Sequence, residues 1–271
     1  MAEPESTSFP GRTDCPPITP WLLHWFRAYS RSYLRRHFHA VRLARPGAPP
    51  IDEARPLVVY INHPAWWDPL VGCLLAERLF PARNHYAPIE AAALGRYRFM
   101  ERLGLFGIDP SASRGAAQFL RTARAVLSHG QNALWITPQG RFADARQRPL
   151  AFRPGLAHLA ARLSGATVLP LAFEYPFWEE RTPEALARFG EPVVIESGRT
   201  CSVSAWNARF ESHLAEAMDA LALQAMDRAE EEFEVLLGGT AGVGGVYDLW
   251  RRFRAHLRGE RFRPEHGAFR R

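Results

Sequence analysis

The alternation of short apolar runs with longer amphipathic segments is the feature that most constrains the fold of this 271-residue chain. From residue 55 onward, short apolar runs alternate with segments whose apolar residues recur with helical spacing, except that two apolar runs, 167–173 and 192–195, follow one another. Strands that alternate with helices predict an α/β fold with a mostly parallel or mixed central sheet flanked by helices. The predicted strands span residues 57–61, 84–88, 105–108, 133–137, 167–173 and 192–195, and the predicted helices span 68–80, 90–102, 113–128, 154–163 and 203–237.

Both ends of the chain differ in composition from this central region. Residues 1–18 are rich in Pro, Ser and Thr, which predicts a disordered lead-in. Thr19 as an N-cap and Pro20 at the first helical position predict an amphipathic, basic helix over residues 19–45. The α/β domain is expected over residues 55–237. A Gly-rich linker over 238–245 and a second basic amphipathic helix with a tail over 246–271 are expected to follow.

The predicted N-terminal helix carries aromatic residues on one face and arginines on the opposite face. This arrangement suits a lipid interface, where the aromatic rings enter the apolar layer and the arginines meet the headgroups. It equally suits a helix whose apolar face packs on the domain while its basic face meets solvent. Both interpretations remain open from the sequence.

The charged residues narrow the choice of function. All 34 basic residues are arginine, which excludes Schiff-base chemistry and the Gly-Lys-Ser/Thr phosphate loop, because both require lysine. The formal net charge of +6 favours anionic partners such as phospholipid, a phosphorylated cofactor, an acidic carrier protein or nucleic acid. No apolar run reaches the roughly 18–20 residues that span a bilayer, and the acidic N-terminus does not resemble a secretion signal. We therefore expect a cytoplasmic protein that is peripheral on the cytoplasmic membrane.

The segment PLVVYINHPAWWDPL, residues 56–70, has the strongest chemical pattern. A predicted strand delivers His63 to its carboxyl end, where α/β sheets place their ligands. Asp68 follows five residues later and begins the next helix, so the turn between them can bring a carboxylate to an imidazole. An acid bound to one ring nitrogen fixes the tautomer and leaves the other nitrogen basic. The pair is therefore a candidate general base.

Two structural interpretations compete with this one. Asp68 before Pro69 is a suitable helix N-cap in any protein, and a histidine in a turn often has a purely structural role. Trp66 and Trp67 are expected either to line a channel for an apolar chain or to pack the turn. The three cysteines and the remaining histidines lack metal-ligand spacing, so we expect no metal.

Four segments in order resemble the motifs of the glycerolipid (lysophospholipid) acyltransferase family, which includes 1-acylglycerol-3-phosphate acyltransferases. The H-x-x-x-x-D spacing of His63 and Asp68 resembles the first motif. LGLFGIDPSASRGAAQ (103–118), WITPQGRF (135–142) and TVLPLAF (167–173) resemble the second, third and fourth motifs. The resemblance covers roughly residues 55–195.

The resemblance implies that His63 deprotonates an acceptor hydroxyl while Asp68 orients the imidazole. The hydroxyl would then attack the thioester of acyl-CoA or acyl-carrier protein directly, without an acyl-enzyme and without a cofactor. Independently, the sequence contains no G-x-S-x-G nucleophile elbow of a serine hydrolase. The implied partners are a lipid acceptor, the acyl thioester on CoA or on acyl-carrier protein, and the membrane surface, with no nucleic acid.

The chain departs from the family pattern where the family binds its acceptor. Gln139 stands at the position of the family's acid, and Phe142 stands at that of its arginine, with Arg141 one place earlier. In the second motif Pro110 replaces the common arginine, and Arg114 is the nearest substitute. The expected substrate-binding residues are Arg114, Gln139, Gly140, Arg141 and Arg153, the last at a strand-to-helix turn. These departures favour acyl transfer in general over lysophosphatidate as the acceptor.

Three functions remain in competition at this point. The first is transfer of a fatty acyl group to a lysophospholipid or related lipid, with a non-phosphorylated glycolipid or pigment alcohol as an alternative acceptor. The second is a non-catalytic protein that binds membranes or nucleic acid through its basic ends; aromatics opposite the arginines favour lipid. The third is an esterase that uses an activated water.

Overall fold

The computed structural model describes residues 15–109 and 113–240. Within these ranges nine strands form one sheet: β1 (Ala40–Ala44), β2 (Leu57–Ile61), β3 (Asn84–Glu90), β4 (Leu105–Ile108), β5 (Asn132–Ile136), β6 (Ala166–Glu174), β7 (Glu184–Phe189), β8 (Val193–Ile195) and β9 (Phe233–Gly238). Six α-helices accompany them: α1 (Pro20–His37), α2 (Asp68–Leu79), α3 (Ala91–Arg96), α4 (Ser113–Leu127), α5 (Gly155–Ala160) and α6 (Val203–Asp227).

The sheet is mixed and mostly parallel, as the sequence predicts. Its strand order is β4-β3-β5-β2-β6-β7-β1-β9, and β8 pairs with β6 beside this path. The run from β4 to β6 is parallel, β7 pairs antiparallel with β6, β1 pairs parallel with β7, and β9 pairs antiparallel with β1. The carboxyl ends of β2, β5 and β6 therefore lie side by side at one edge of the sheet.

Helices cover both faces of the sheet. Buried residues of α4, α5 and α6 pack on one face, and buried residues of α1 and α2 pack on the other. The central strand β2, with the sequence LVVYI, is buried along its whole length, which is why it reads as a continuous apolar run rather than an alternating one. No helix in residues 15–109 and 113–240 combines the length and apolarity needed to cross a bilayer.

The predicted N-terminal helix is too long by its last turns. Helix α1 ends at His37, and residues 40–44 form the buried strand β1. The strand is stabilised by an ion pair in which Arg42 Nε donates to Glu184 Oε2 at 2.9 Å. Because the neutralising partner comes from a distant part of the chain, the pattern of residues 40–44 alone does not show that an arginine can be buried there.

The predicted disordered lead-in is also wrong for its final residues. Ile18 bridges Leu103, and Pro17 accepts a hydrogen bond from the amide of Gly104 at 3.2 Å. Residues 15–18 therefore dock against the segment before β4. Residues 1–14 lie outside the described part of the chain.

The predicted boundaries at the other end of the domain change as well. Helix α6 ends at Asp227, not at residue 237, because Arg228 takes a left-handed conformation with φ of 51°. The chain then returns to the sheet as β9, which includes Gly238, the first residue of the predicted linker. Gly239 donates to the carbonyl of His39 at 2.8 Å, so the linker prediction fails at its start. Residues 241–271, with the rest of the linker and the predicted C-terminal helix, lie outside the described residues.

Candidate active site

Asn62 fixes the point where β2 ends and the candidate site begins. Its side-chain amide donates to the carbonyl of Phe173 at 2.9 Å, and its side-chain oxygen accepts the amide hydrogen of Phe173 at 2.7 Å. This buried side chain reproduces the two hydrogen bonds that a continuing strand would make with β6. The chain can therefore leave the sheet at Asn62 without leaving β6 unpaired at that point.

His63 and Asp68 meet across the turn that follows. His63 Nδ1 lies 2.5 Å from Asp68 Oδ2, and the amide of Ala65 donates to the same oxygen at 3.3 Å. Asp68 is 0% exposed. It is the first residue of α2 and makes no side-chain cap, because the carboxylate points back to the turn. The N-cap interpretation of Asp68 is therefore wrong.

The contact with Asp68 determines which nitrogen of His63 is free. A carboxylate can only accept, so the proton between the two groups lies on Nδ1. Nε2 then carries the lone pair, and no residue within 15–109 or 113–240 hydrogen-bonds to it. The imidazole is 19% exposed, and the ring of Phe142 stacks on it with centroids 4.2 Å apart. This geometry matches that of a general base awaiting a proton donor.

The loop after β5 holds the backbone of His63 in place. The side-chain oxygen of Gln139 accepts the amide hydrogen of His63 at 3.4 Å, and its NH₂ group donates to the carbonyl of Leu150 at 3.2 Å. The amide of Ala143 donates to the carbonyl of His63 at 3.0 Å. Gln139 is buried, and both ends of its amide are engaged within the protein. In this arrangement Gln139 links the loop after β5 to the backbone of His63.

Comparison with known proteins agrees with this arrangement. Residues 40–174 match a family described as Acyltransferase. The chain belongs to this family. A comparison with curated proteins gave no match. The matched range begins at β1, ends with the last residue of β6, and contains His63 and Asp68.

The arginines expected to bind substrate in this acyltransferase are exposed. Arg114 lies on α4, Arg141 precedes the ring that stacks on His63, and Arg153 precedes α5. None of the three forms an ion pair within the described ranges. A Cβ built on Gly140 would come within 2.8 Å of Arg153 Cδ and Nε, so the Arg153 side chain passes directly over Gly140. Arg141 and Arg153 thus both lie at the loop that carries Phe142, whereas nothing in the structure brings Arg114 to this loop. Pro110 lies outside the described residues.

Tyr175 is a site residue that the sequence interpretation missed. It directly follows β6, and its hydroxyl donates to Asp68 Oδ1 at 2.6 Å. Burial and the neighbouring Asp68 raise the pKa of this phenol well above its ordinary value of 10, so the hydroxyl stays protonated. The two residues are 107 positions apart. The available signal was positional, because residues that follow adjacent parallel strands meet at one edge of the sheet.

Aromatic residues of α1 lead to the turn between His63 and Asp68. Trp21 is 67% exposed, and Trp25 and Tyr29 are also exposed. Ring contacts run from Trp25 to Tyr29, from Tyr29 to Tyr33 and from Tyr33 to Trp66. The opposite side of α1 packs on α2, where Arg31 pairs with Glu77 at 2.5 Å. The helix therefore turns Trp21, Trp25 and Tyr29 outward, whereas Phe26 and Tyr33 of the same face pack against the core, so each interpretation holds for part of the face.

Two ionisable groups near the site, Glu174 and Cys73, have raised pKa values. Burial raises the pKa of Glu174, at the end of β6, above its ordinary value. Burial also raises the pKa of the Cys73 thiol, on α2, to about 11. Within residues 15–109 and 113–240, no cluster of three His, Cys, Asp or Glu side chains could hold a metal ion.

Proposed function

We propose that this acyltransferase moves a fatty acyl group from acyl-CoA or acyl-carrier protein to a hydroxyl of a lysophospholipid or related lipid. His63 acts as the general base and Asp68 orients it. The observation that carries the proposal is the 2.5 Å contact between Nδ1 of His63 and Oδ2 of the buried Asp68, which leaves Nε2 free.

The proposed reaction is direct transfer. His63 Nε2 takes the proton of the acceptor hydroxyl while the hydroxyl oxygen attacks the thioester carbonyl. The resulting tetrahedral intermediate collapses by breaking the carbon–sulfur bond, and the imidazolium returns its proton to the leaving thiolate. Asp68 stabilises the imidazolium between these steps. General-base action of this kind contributes about 10²- to 10⁴-fold. The high pKa of the Cys73 thiol argues against that cysteine as a competing nucleophile.

The unpaired arginines at the loop that carries Phe142 are suited to anionic groups of the substrates. Arg141 and Arg153 present guanidinium groups that the described residues leave without a carboxylate, and such groups bind phosphate in bidentate fashion. Gly140 gives Arg153 room to lie across the loop. We assign Arg141 and Arg153 to the phosphates of the acyl donor or of the acceptor. We assign Arg114 to a contact with the substrate farther from the dyad, and Gln139 to support of the loop after β5.

A second acceptor class is favoured by Phe142. Its exposed ring, 57% accessible, lies against the imidazole and presents an apolar wall beside the reacting nitrogen. Such a wall suits the carbon skeleton of an uncharged lipid, so a non-phosphorylated glycolipid or a pigment alcohol is the alternative acceptor. The catalytic dyad argues against a protein that only binds membranes.

The aromatic face of α1 supports peripheral binding at the cytoplasmic membrane. Exposed tryptophan and tyrosine rings partition to the lipid interface. The triple substitution Trp21→Ser, Trp25→Ser, Tyr29→Ser is expected to abolish co-sedimentation with vesicles that contain anionic phospholipid. Serine at Leu223 and Met226, which are exposed on α6, is the matched control and should leave co-sedimentation unchanged. Equal binding by both variants would refute this surface.

The decisive experiment identifies the products. The purified protein is incubated with palmitoyl-CoA and either a panel of lysophospholipids, a panel of uncharged lipid alcohols, or a lipid extract of the host, and the products are measured by mass spectrometry. We expect an acceptor whose mass increases by one acyl group, together with an equal amount of free CoA. Release of free palmitate without any acylated acceptor would show an esterase and contradict the proposal.

A further inference from the structure

The carboxylate of Asp68 accepts hydrogen bonds from three separate donors. His63 Nδ1 and the amide of Ala65 both reach Oδ2, and the hydroxyl of Tyr175 reaches Oδ1. The Tyr175 contact is 2.6 Å long, typical of a strong O–H···O⁻ hydrogen bond. The negative charge that supports His63 is therefore shared with a phenol that belongs to another part of the chain.

Packing holds the phenol in this position. The ring of Tyr175 lies 5.6 Å from that of Phe38, between α1 and β1, and Phe38 in turn meets Trp67 in an edge contact at 5.0 Å. Trp67 immediately precedes Asp68. The packing of Tyr175, Phe38 and Trp67 thus directs the hydroxyl toward Oδ1 of Asp68.

We propose that Tyr175 is a positioning residue that sets the orientation and proton affinity of His63 through Asp68. This inference rests on the proposed function, and it adds a third member to the dyad. The phenol donates to Oδ1, so it withdraws negative charge from the carboxylate and lowers its attraction for the imidazolium. Removing this donor would therefore strengthen the attraction of the carboxylate for the imidazolium.

The other ionisable groups around the site stay the same in the two proteins that the test of this role compares. They are Glu174 on β6, His37 at the end of α1, and Arg141, Asp144, Arg146 and Arg153 between β5 and α5. A substitution that removes only the Tyr175 hydroxyl leaves all of them in place. A change in His63 titration then reports the hydrogen bond to Asp68.

The test compares Tyr175→Phe with Tyr60→Phe. Phenylalanine at 175 keeps the ring that packs on Phe38 and removes only the donor. Tyr60 is the matched control, because it is buried on β2 and its hydroxyl has no hydrogen-bond partner among the described residues. The imidazole of His63 is followed by NMR in protein labelled with ¹⁵N-histidine, with His63→Gln used to assign its signals. The rate of acyl transfer from palmitoyl-CoA to the acceptor that the product experiment identifies is measured from pH 5 to pH 9.

We expect the midpoint of the His63 titration to rise by roughly one pH unit in Tyr175→Phe and to stay unchanged in Tyr60→Phe. The acid limb of the kcat profile should move by the same amount, which lowers kcat about tenfold at acid pH. A loss of thermal stability without a shifted His63 midpoint would mean that Tyr175 is only structural and would overturn the inference. A shifted NMR midpoint in a protein that transfers no acyl group would leave the hydrogen-bond relay intact and refute the proposed function instead.

Discussion

Replacing Asn62 by alanine should destabilise the protein, because the side chain makes two buried hydrogen bonds with the backbone of β6. Asn62 is 1% exposed and makes two hydrogen bonds with the backbone of Phe173, at 2.9 Å and 2.7 Å. The alanine variant leaves a buried N–H and a buried carbonyl without their partner, and each such group costs about 1–3 kcal/mol. Because the neighbouring His63 is partly exposed, water can reach the vacated space, so we take the lower half of the range.

The expected loss is about 3 kcal/mol of the free energy of unfolding. For a domain of this size, that corresponds to a melting temperature lower by roughly 6–12 °C. Urea unfolding followed by circular dichroism gives the first quantity, and differential scanning calorimetry gives the second. Activity of the folded variant should also fall at least about tenfold, because a displacement of His63 breaks the alignment of the base with its substrate.

Asn207→Ala is the matched control for this prediction. The side-chain oxygen of Asn207, on α6, is buried and has no hydrogen-bond partner among the described residues. Removing it leaves no backbone group newly unpaired, so stability should stay within about 0.5 kcal/mol or rise. If Asn62→Ala also stays within 1 kcal/mol of the parent protein, the reasoning that Asn62 replaces a strand residue beside β6 is refuted.

Two further predictions concern His39 and Gly140. The hydrogen bond from His39 to Glu184 raises the pKa of His39 above 6.5, against the opposing effect of burial. Its contribution to stability is therefore complete below the unfolded value of about 6.5 and is lost as pH rises through the folded pKa. The destabilisation caused by His39→Gln should be larger at pH 5.5 than at pH 9 in urea unfolding, and equal losses at both would contradict the assignment. Gly140 has φ of +63°, so Gly140→Ala should cost about 1 kcal/mol and displace Arg153, which raises KM for acyl-CoA. Gly165→Ala is the matched control, because Gly165 has φ of +70° and open space around it. It should lose the same stability while its KM for acyl-CoA stays unchanged. An unchanged KM in both variants would show that Arg153 does not bind the acyl donor.

Local patterns were sufficient for the parallel half of the sheet and for the dyad. Strands β2, β5 and β6 are continuous apolar runs, and the spacing of His63 and Asp68 is short enough to be recognised within one turn. The same locality explains why the start of α2 was predicted correctly from Asp68 and Pro69. These features depend on residues within a few positions of one another.

The antiparallel edge of the sheet depends on contacts between distant residues. Strand β7 was missed and β1 was included in a helix, because their buried charges, Glu184 and Arg42, read as surface residues until they pair across 142 positions. Strand β9 follows a run of glutamates. Because glutamate is a good helix former, the sequence does not show that α6 ends before Arg228. Tyr175 was not predicted for the same reason, because its hydroxyl binds a carboxylate from another strand-to-helix turn.

The measurement that tests the central claim most directly is the rate of acyl transfer by His63→Ala with palmitoyl-CoA and the identified acceptor, at saturating concentrations of both. Thermal unfolding must first show that the variant is folded. The account predicts that kcat falls by about 10²- to 10⁴-fold, while binding of palmitoyl-CoA stays within a few fold. A folded His63→Ala protein that still transfers the acyl group at close to the parent rate would show that this imidazole is not the base.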